Sequence, residues 1–461
     1  MNRDSVQSSE SEFLDALFCS LNDANVRYAV MRNYERLPYS ADGSDLDILI
    51  LRADEERVKK ILIRTIAKAG GVTIGCGKSV GFFKVYALGC ICSEKKDWWG
   101  LRIDVNVGLQ FRGGAKLLNM NYLKNKCHEH NGISVLPPGL AAVLGVLKEV
   151  LHNNHMPERY HGEAAQAVEI TWEDLCCHLK PMGKKAILIL KKMIQAESSP
   201  GRLASQAQAL RRVLFWKSFS RAPFAYMYLR FLYEWSKVRR LMNPSGVMVA
   251  VLGVDGVGKS TVIRHIMPVL KTATHSAFIV KHLRPGLLPP LARLKGTRVD
   301  VPGPVLDPHG SKPSGLLGSL ARMIYYTIDY VLGYWLWVRP KIAKQPTVVL
   351  FDRYAYDMAL DPRRFRIGFS GRMLKWFTRL APKPDVILCL HADPEVINAR
   401  KQELAIDEVQ RQLDAIRAFA IDEPRAVLVS TEEDAKVVRD HILVALRETF
   451  SRRTCNSKRT L

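Results

Sequence analysis

The stretch "VMVAVLGVDGVGKST", residues 247–261, decides how the second half of the chain is read. Its first six residues are apolar and β-prone, the composition of a strand buried on both faces. Gly253, Gly258, Lys259 and Ser260 then satisfy G-x-x-x-x-G-K-[ST], and a helical pattern follows. Glycines let backbone N–H groups turn toward phosphate oxygens, and the next helix presents its positive end to them. In such a loop Lys259 reaches the β- and γ-phosphates of a nucleotide and Ser260 takes Mg²⁺. The ATP-binding candidates are Gly253, Gly256, Gly258, Lys259, Ser260 and Thr261.

Downstream, "TVVLFDRYAYDMALDPRRFR", residues 347–366, reads as a second strand that ends in an acid. Parallel α/β sheets place ligands at the carboxyl ends of their strands. Asp352 is therefore the second Mg²⁺ candidate, and Arg353 can neutralise a moving phosphoryl group. Lys259, Asp352 and Arg353 are the catalytic candidates. From residue 246 onward apolar strands alternate with helical patterns, which predicts a parallel α/β sheet. The segment "RVDVPGPVLDPHGSKPSG", 298–315, reads as a loop. "SLARMIYYTIDYVLGYWLWV", 319–338, has the length of a membrane span, but Arg322 and Asp329 interrupt it, so a buried helix is expected.

With these residues in hand, 246 to about 449 resembles a thymidylate-kinase-like P-loop kinase. "GVDGVGKST" matches that family's phosphate loop, including Asp255 and Gly256, and "DRY" at 352–354 matches its Asp-Arg-aromatic motif. "DVILCLHADPEVINARKQEL", 385–404, resembles the strand, helix start and lid that follow. "AVLVSTEEDAKVVRDHILVAL" resembles the last strand and helix. The resemblance implies that Asp255 approaches the acceptor, that Asp352 and Arg353 lie between donor and acceptor, and that Arg400 or Lys401 belongs to the lid. It departs at Asp329, where the family carries an arginine that grips the acceptor phosphate. A carboxylate there suits a hydroxyl donor such as a sugar or polyol. Arg284, in "KHLRPG", resembles the family's Arg-Pro-Gly segment and keeps a phosphate acceptor open. Arg363 and Arg364 fall where an acceptor-binding segment is expected. The implied activity is an Mg-ATP-dependent phosphotransferase. Its acceptor is a nucleoside monophosphate or a sugar-, polyol- or glycan-type hydroxyl, the latter fitting surface-polysaccharide metabolism.

Upstream, "ADGSDLDILIL", 41–51, alternates so that Asp45 and Asp47 share one strand face while Leu46, Ile48 and Ile50 share the other. "GLRIDVNVGL" offers Asp104 in similar surroundings. Three carboxylates on neighbouring strands can hold Mg²⁺ against a nucleoside triphosphate. Residues 12 to about 160 resemble the α+β nucleotidyltransferase superfamily of the aminoglycoside-adenylyltransferase kind. The family's Gly-Ser stands well upstream of its acid pair, whereas here Gly43 and Ser44 abut Asp45. The alternatives are a bifunctional kinase and nucleotidyltransferase, or a degenerate domain that only binds. The histidine pieces "CHEH" and "HNNH" lack a second metal-ligand pair.

The boundaries that emerge are 1–195, a connector at 196–245, and 246–461, which suits the 461-residue length. From 200 to 245 nine Lys and Arg face one acid, Glu234, with aromatics between them. A helical bridge whose aromatics pack is expected there, with contact to an anionic membrane face as the rival. The chain's net charge of +23 favours anionic partners. A nucleotide-gated scaffold or nucleic-acid switch belongs to that class, but no helix-turn-helix or zinc pattern accompanies the charge. Nine cysteines without a CxxC pair and a polar start, "MNRDSVQSSESEF", place the chain in the cytoplasm as expected from sequence. Oligomeric state leaves no sequence mark here.

Overall fold

The computed structural model describes residues 8–91, 97–112, 114–121, 123, 127–195, 200–289, 315–368, 371–402 and 404–456. The loop expected at 298–315 lies almost wholly outside them. Two compact units divide between Arg239 and Arg240.

The first unit is built on β1 (Tyr28–Val30), β2 (Leu46–Ile50), β3 (Gly71–Ser79), β4 (Phe82–Ile91), β5 (Asp97–Val107), β8 (His128–His130) and β9 (Ile133–Val135). A separate pair, β6 (Gln110–Phe111) and β7 (Ala115–Lys116), stands apart. The sheet order is β3-β4-β5-β2-β1-β9-β8. β2 runs parallel to β5 in a register that sets Asp47 directly opposite Asp104. The alternation read in residues 45–50 therefore holds, and it delivers both acids to one place. The helix Ser9–Asp23 buries Phe13, Leu14, Leu17 and Leu21 at helical spacing, and Phe13 stacks on Trp99 at 4.3 Å. Ser8 caps it by accepting from the Ser11 N–H. A second core forms among the helices Pro138–Asn153, Glu158–Ile170 and Lys184–Gln195. The helix Pro200–Arg221 joins that core through Leu203, Ala207, Leu210 and Leu214.

The second unit holds five strands, β10 (Val247–Leu252), β11 (Phe278–His282), β12 (Val348–Asp352), β13 (Val386–His391) and β14 (Ala426–Ser430). Their order is β11-β12-β10-β13-β14, and every pairing is parallel. All six residues of β10 are buried, as its unbroken apolar run demands. Val251 of β10 pairs with Asp352 of β12, so the two motif-bearing strands end side by side.

Two expectations change here. The stretch 319–338 is only half-buried. Its helix, Leu316–Gly333, turns Ser319, Met323, Asp329 and Tyr330 inward, while Leu317, Ile324, Ile328 and Leu332 face outward. No helix among the described residues is long and apolar enough to cross a membrane. The connector is helical, as Pro200–Arg221 and Pro223–Met242, but most aromatics of the second helix do not pack: Phe224 is 90% exposed and Phe231 60%. Aromatic content reads as core in a sequence, and burial is set by what the chain brings opposite.

Candidate functional site

The site grows from the end of β10. Gly256 has φ +87° and Gly258 φ +101°, backbone that a side chain would strain. A Cβ on Gly256 would also press on Lys401 and the Ile397 carbonyl. With Gly258 as its N-cap, the helix Lys259–Thr274 starts at the loop, and its first N–H groups lack helical partners. Ser260 and Thr261 are exposed at this helix start. Lys259 is buried and folds back on the loop, donating to the carbonyls of Gly253 at 2.9 Å and Val254 at 2.8 Å. Burial and the nearby Arg353 pull its pKa down to about 8.

Asp352 ends β12 beside this loop. One carboxylate oxygen lies 3.6 Å from His282 Nδ1, while the other, Oδ1, is buried with no hydrogen-bond partner. Burial raises its pKa, yet His282 and Lys259 outweigh that and leave it below the usual range. An orphaned buried carboxylate oxygen next to a phosphate loop fits a metal ligand. Arg353 follows with φ +71°, rare for a non-glycine, and its N–H donates to the Val251 carbonyl at 2.9 Å. Its guanidinium pairs with Asp357 at 3.1 Å and with Asp255. Arg364 reaches the other oxygen of Asp255. Burial pushes the Asp255 carboxyl up, but Lys259, Arg353 and Arg364 hold it well below the usual range. Asp357 is fully engaged, accepting also from the Tyr354 N–H at 2.8 Å.

The structure thus brings Asp255, Lys259, Asp352, Arg353 and Arg364 together. Arg363 points to solvent instead. Asp329 is fully buried. It accepts from Arg284 at 3.1 Å and from the N–H groups of Gly286 at 3.2 Å and Leu288 at 2.6 Å. This carboxylate holds the segment after β11 in place, and Arg284 is its partner. Of the lid candidates, Arg400 donates to the Thr431 carbonyl at 2.9 Å, and Lys401 lies against Gly256. The bonds of Arg364 to Asp255 and of His282 to Asp352 were missed in the sequence. Their long separations leave no local signal.

In the first unit the ligand atoms of Asp45, Asp47 and Asp104 lie within 4.8 Å of one another, all buried. Four cations meet them. Arg32 pairs with Asp45 and Asp47, and Lys148 reaches Asp47 at 3.3 Å. Arg102 donates to both oxygens of Asp104, at 2.8 and 2.6 Å, and lies 3.5 Å from Asp45. Lys84 adds a bond to Asp104 at 2.9 Å. Burial raises Asp104, but Arg102 and Lys84 bring it below the ordinary carboxylate range. The acids converge as expected from sequence. Their compensation by Arg32, Lys84, Arg102 and Lys148 was not foreseen.

No family model matches the chain. A probable thymidylate kinase of Pyrobaculum aerophilum is 26% identical over 204 residues, covering 42% of this chain and 92% of that protein. Among solved structures, thymidylate kinase from Ehrlichia chaffeensis is similar at 12% identity and a TM-score of 0.31, over 44% of this chain and 98% of that one. The sequence likeness supports a nucleotide kinase at a coarse level. These comparisons do not support the nucleotidyltransferase resemblance of the first unit.

Proposed function

We propose that the second unit is a P-loop kinase that moves the γ-phosphoryl group of ATP onto a phosphorylated acceptor of the nucleoside-monophosphate kind. One observation carries this: Lys259 and the unpartnered Oδ1 of Asp352 meet at the same sheet end as the Arg353–Asp255–Arg364 cluster. The loop N–H groups and the start of the helix Lys259–Thr274 would cradle the phosphates. Lys259 would exchange its two carbonyl bonds for phosphate oxygens. Ser260 and Asp352 would hold Mg²⁺, which supplies charge neutralisation between the donor phosphates. Arg353, fixed by Asp357, would face the moving group.

The acceptor class follows from Asp329 and Asp255. The argument for a neutral hydroxyl acceptor rested on Asp329, which is buried against Arg284. A hydroxyl is helped by a base, and both oxygens of Asp255 are already engaged by Arg353 and Arg364. A phosphate oxygen is already anionic and needs none. Arg364 and Arg353 supply cations to bind it. ATP consumption with nucleoside monophosphates, and its absence with sugars and polyols, is the expected outcome of an acceptor screen. Consumption with a sugar or polyol alone would overturn the acceptor assignment.

A second reading concerns the first unit and is favoured by the convergence of Asp45, Asp47 and Asp104. There an Mg²⁺-dependent nucleotidyl transfer would require Arg32 and Arg102 to give up their carboxylates. Pyrophosphate release from a nucleoside triphosphate should then vanish in Asp47→Asn. If wild type releases none, the reading falls.

A further inference from the structure

The helix Pro223–Met242 is 20 residues long, and Tyr226 is its one buried residue. Tyr226 anchors it, edge-on to Phe215 at 5.5 Å and against Gly114. At 3.6 residues per turn, Phe224, Met227, Tyr228, Phe231, Trp235 and Val238 fall within an arc of about 100°. All six are exposed, Tyr228 by 62%. Tyr226 projects from the opposite side of the helix. The stripe therefore faces away from the anchor and runs about 21 Å along a helix of about 30 Å.

Arg239 lies along one edge of this stripe and Glu234 along the other, with Arg230 and Lys237 behind Glu234. The helix's one acid, Glu234, is already taken by Arg230 at 3.0 Å and Lys237 at 2.7 Å. A bare stripe of Trp, Tyr and Phe on a helix whose other positions carry four cations, Arg230, Lys237, Arg239 and Arg240, against one acid matches the headgroup boundary of an anionic bilayer, where rings sit among acyl chains and cations meet phosphates. The helix is not apolar enough to cross a membrane. We propose that the 224–239 face is a peripheral docking surface for anionic lipid bilayers.

The test is co-sedimentation of the full chain with phosphatidylglycerol–phosphatidylcholine vesicles and with phosphatidylcholine alone. Binding is expected only with the anionic vesicles, falling as salt rises. The double variant Phe231→Asp/Trp235→Asp should lose binding, and Phe231→Leu/Trp235→Phe should keep it. Arg230→Gln/Lys237→Gln/Arg239→Gln should weaken it about a hundredfold, at about fivefold per cation. ATP turnover should be unchanged in all three, because none of these residues touches the phosphate loop. Failure to bind anionic vesicles, equal binding to phosphatidylcholine, or retained binding in the aspartate variant would overturn the proposal. So would a solution dimer that the aspartate variant splits while lipid leaves the wild type unaffected.

Discussion

Two acidic sites face cations in this chain, and they are finished to different degrees. In the first unit Asp45, Asp47 and Asp104 are met by Arg32, Lys84, Arg102 and Lys148, so each carboxylate has a basic partner. In the second unit Asp352 keeps one buried oxygen without a partner beside the phosphate loop. A buried polar atom left unbonded costs about 1–3 kcal/mol, which a Mg²⁺ bound at Asp352 would offset. The contrast teaches that converging acids already paired with cations are weaker evidence of a metal site than an unpartnered carboxylate oxygen beside a phosphate loop.

The harshest way to break that contrast is to remove the phosphate-loop lysine. Lys259→Ala should lower ATP turnover about 10³-fold while the circular dichroism spectrum stays that of wild type. Asp47→Asn should leave the same turnover intact. Equal losses in both would erase the distinction between the sites.

The next test sharpens the first-unit side. Arg102→Met strips Asp104 of its paired donor and should destabilise that unit by about 3 kcal/mol, read by chemical denaturation. Mg²⁺ should not restore it. Restoration by Mg²⁺ would place the acid trio among metal sites after all.

A smaller effect is expected at Asp255, and it carries a pH signature. Its folded pKa lies below the unfolded value of about 3.9, so its stabilisation is full above that pH and is lost as pH falls through the folded value. Asp255→Asn should cost roughly 2 kcal/mol at neutral pH. The melting-temperature gap to wild type should then close as the solution is acidified below about pH 4. A gap that persists unchanged into acid would mean that charge is not what Asp255 contributes.

The mildest change is Arg364→Ala, expected to raise the acceptor KM about tenfold with the ATP KM unchanged. An effect on ATP alone would move Arg364 to the donor side.

Much of the second unit was legible in the sequence because its signals are local. A buried apolar strand, two glycines at left-handed φ and a helix start occupy the fifteen consecutive residues 247–261. Asp352 was legible for the same reason, as an acid that closes an apolar strand. Asp329 misled because its meaning lies in Arg284 and in two backbone N–H groups more than forty residues away. A carboxylate reads as a ligand until its partners are known. The bond of Arg364 to Asp255 spans 109 residues, so no local pattern announces it. The helix Pro223–Met242 was legible as a helix, whereas the exposure of its aromatics depends on what the fold leaves uncovered.

The central claim, a phosphate-accepting kinase in the second unit, is tested most directly by ATP consumption with a panel of nucleoside monophosphates, sugars and polyols. Wild type and Lys259→Ala are assayed side by side with Mg²⁺. The account predicts consumption with at least one nucleoside monophosphate, none with the neutral hydroxyl compounds, and loss of the signal in the variant. Consumption that survives Lys259→Ala, or that appears only with a sugar or polyol, would contradict it.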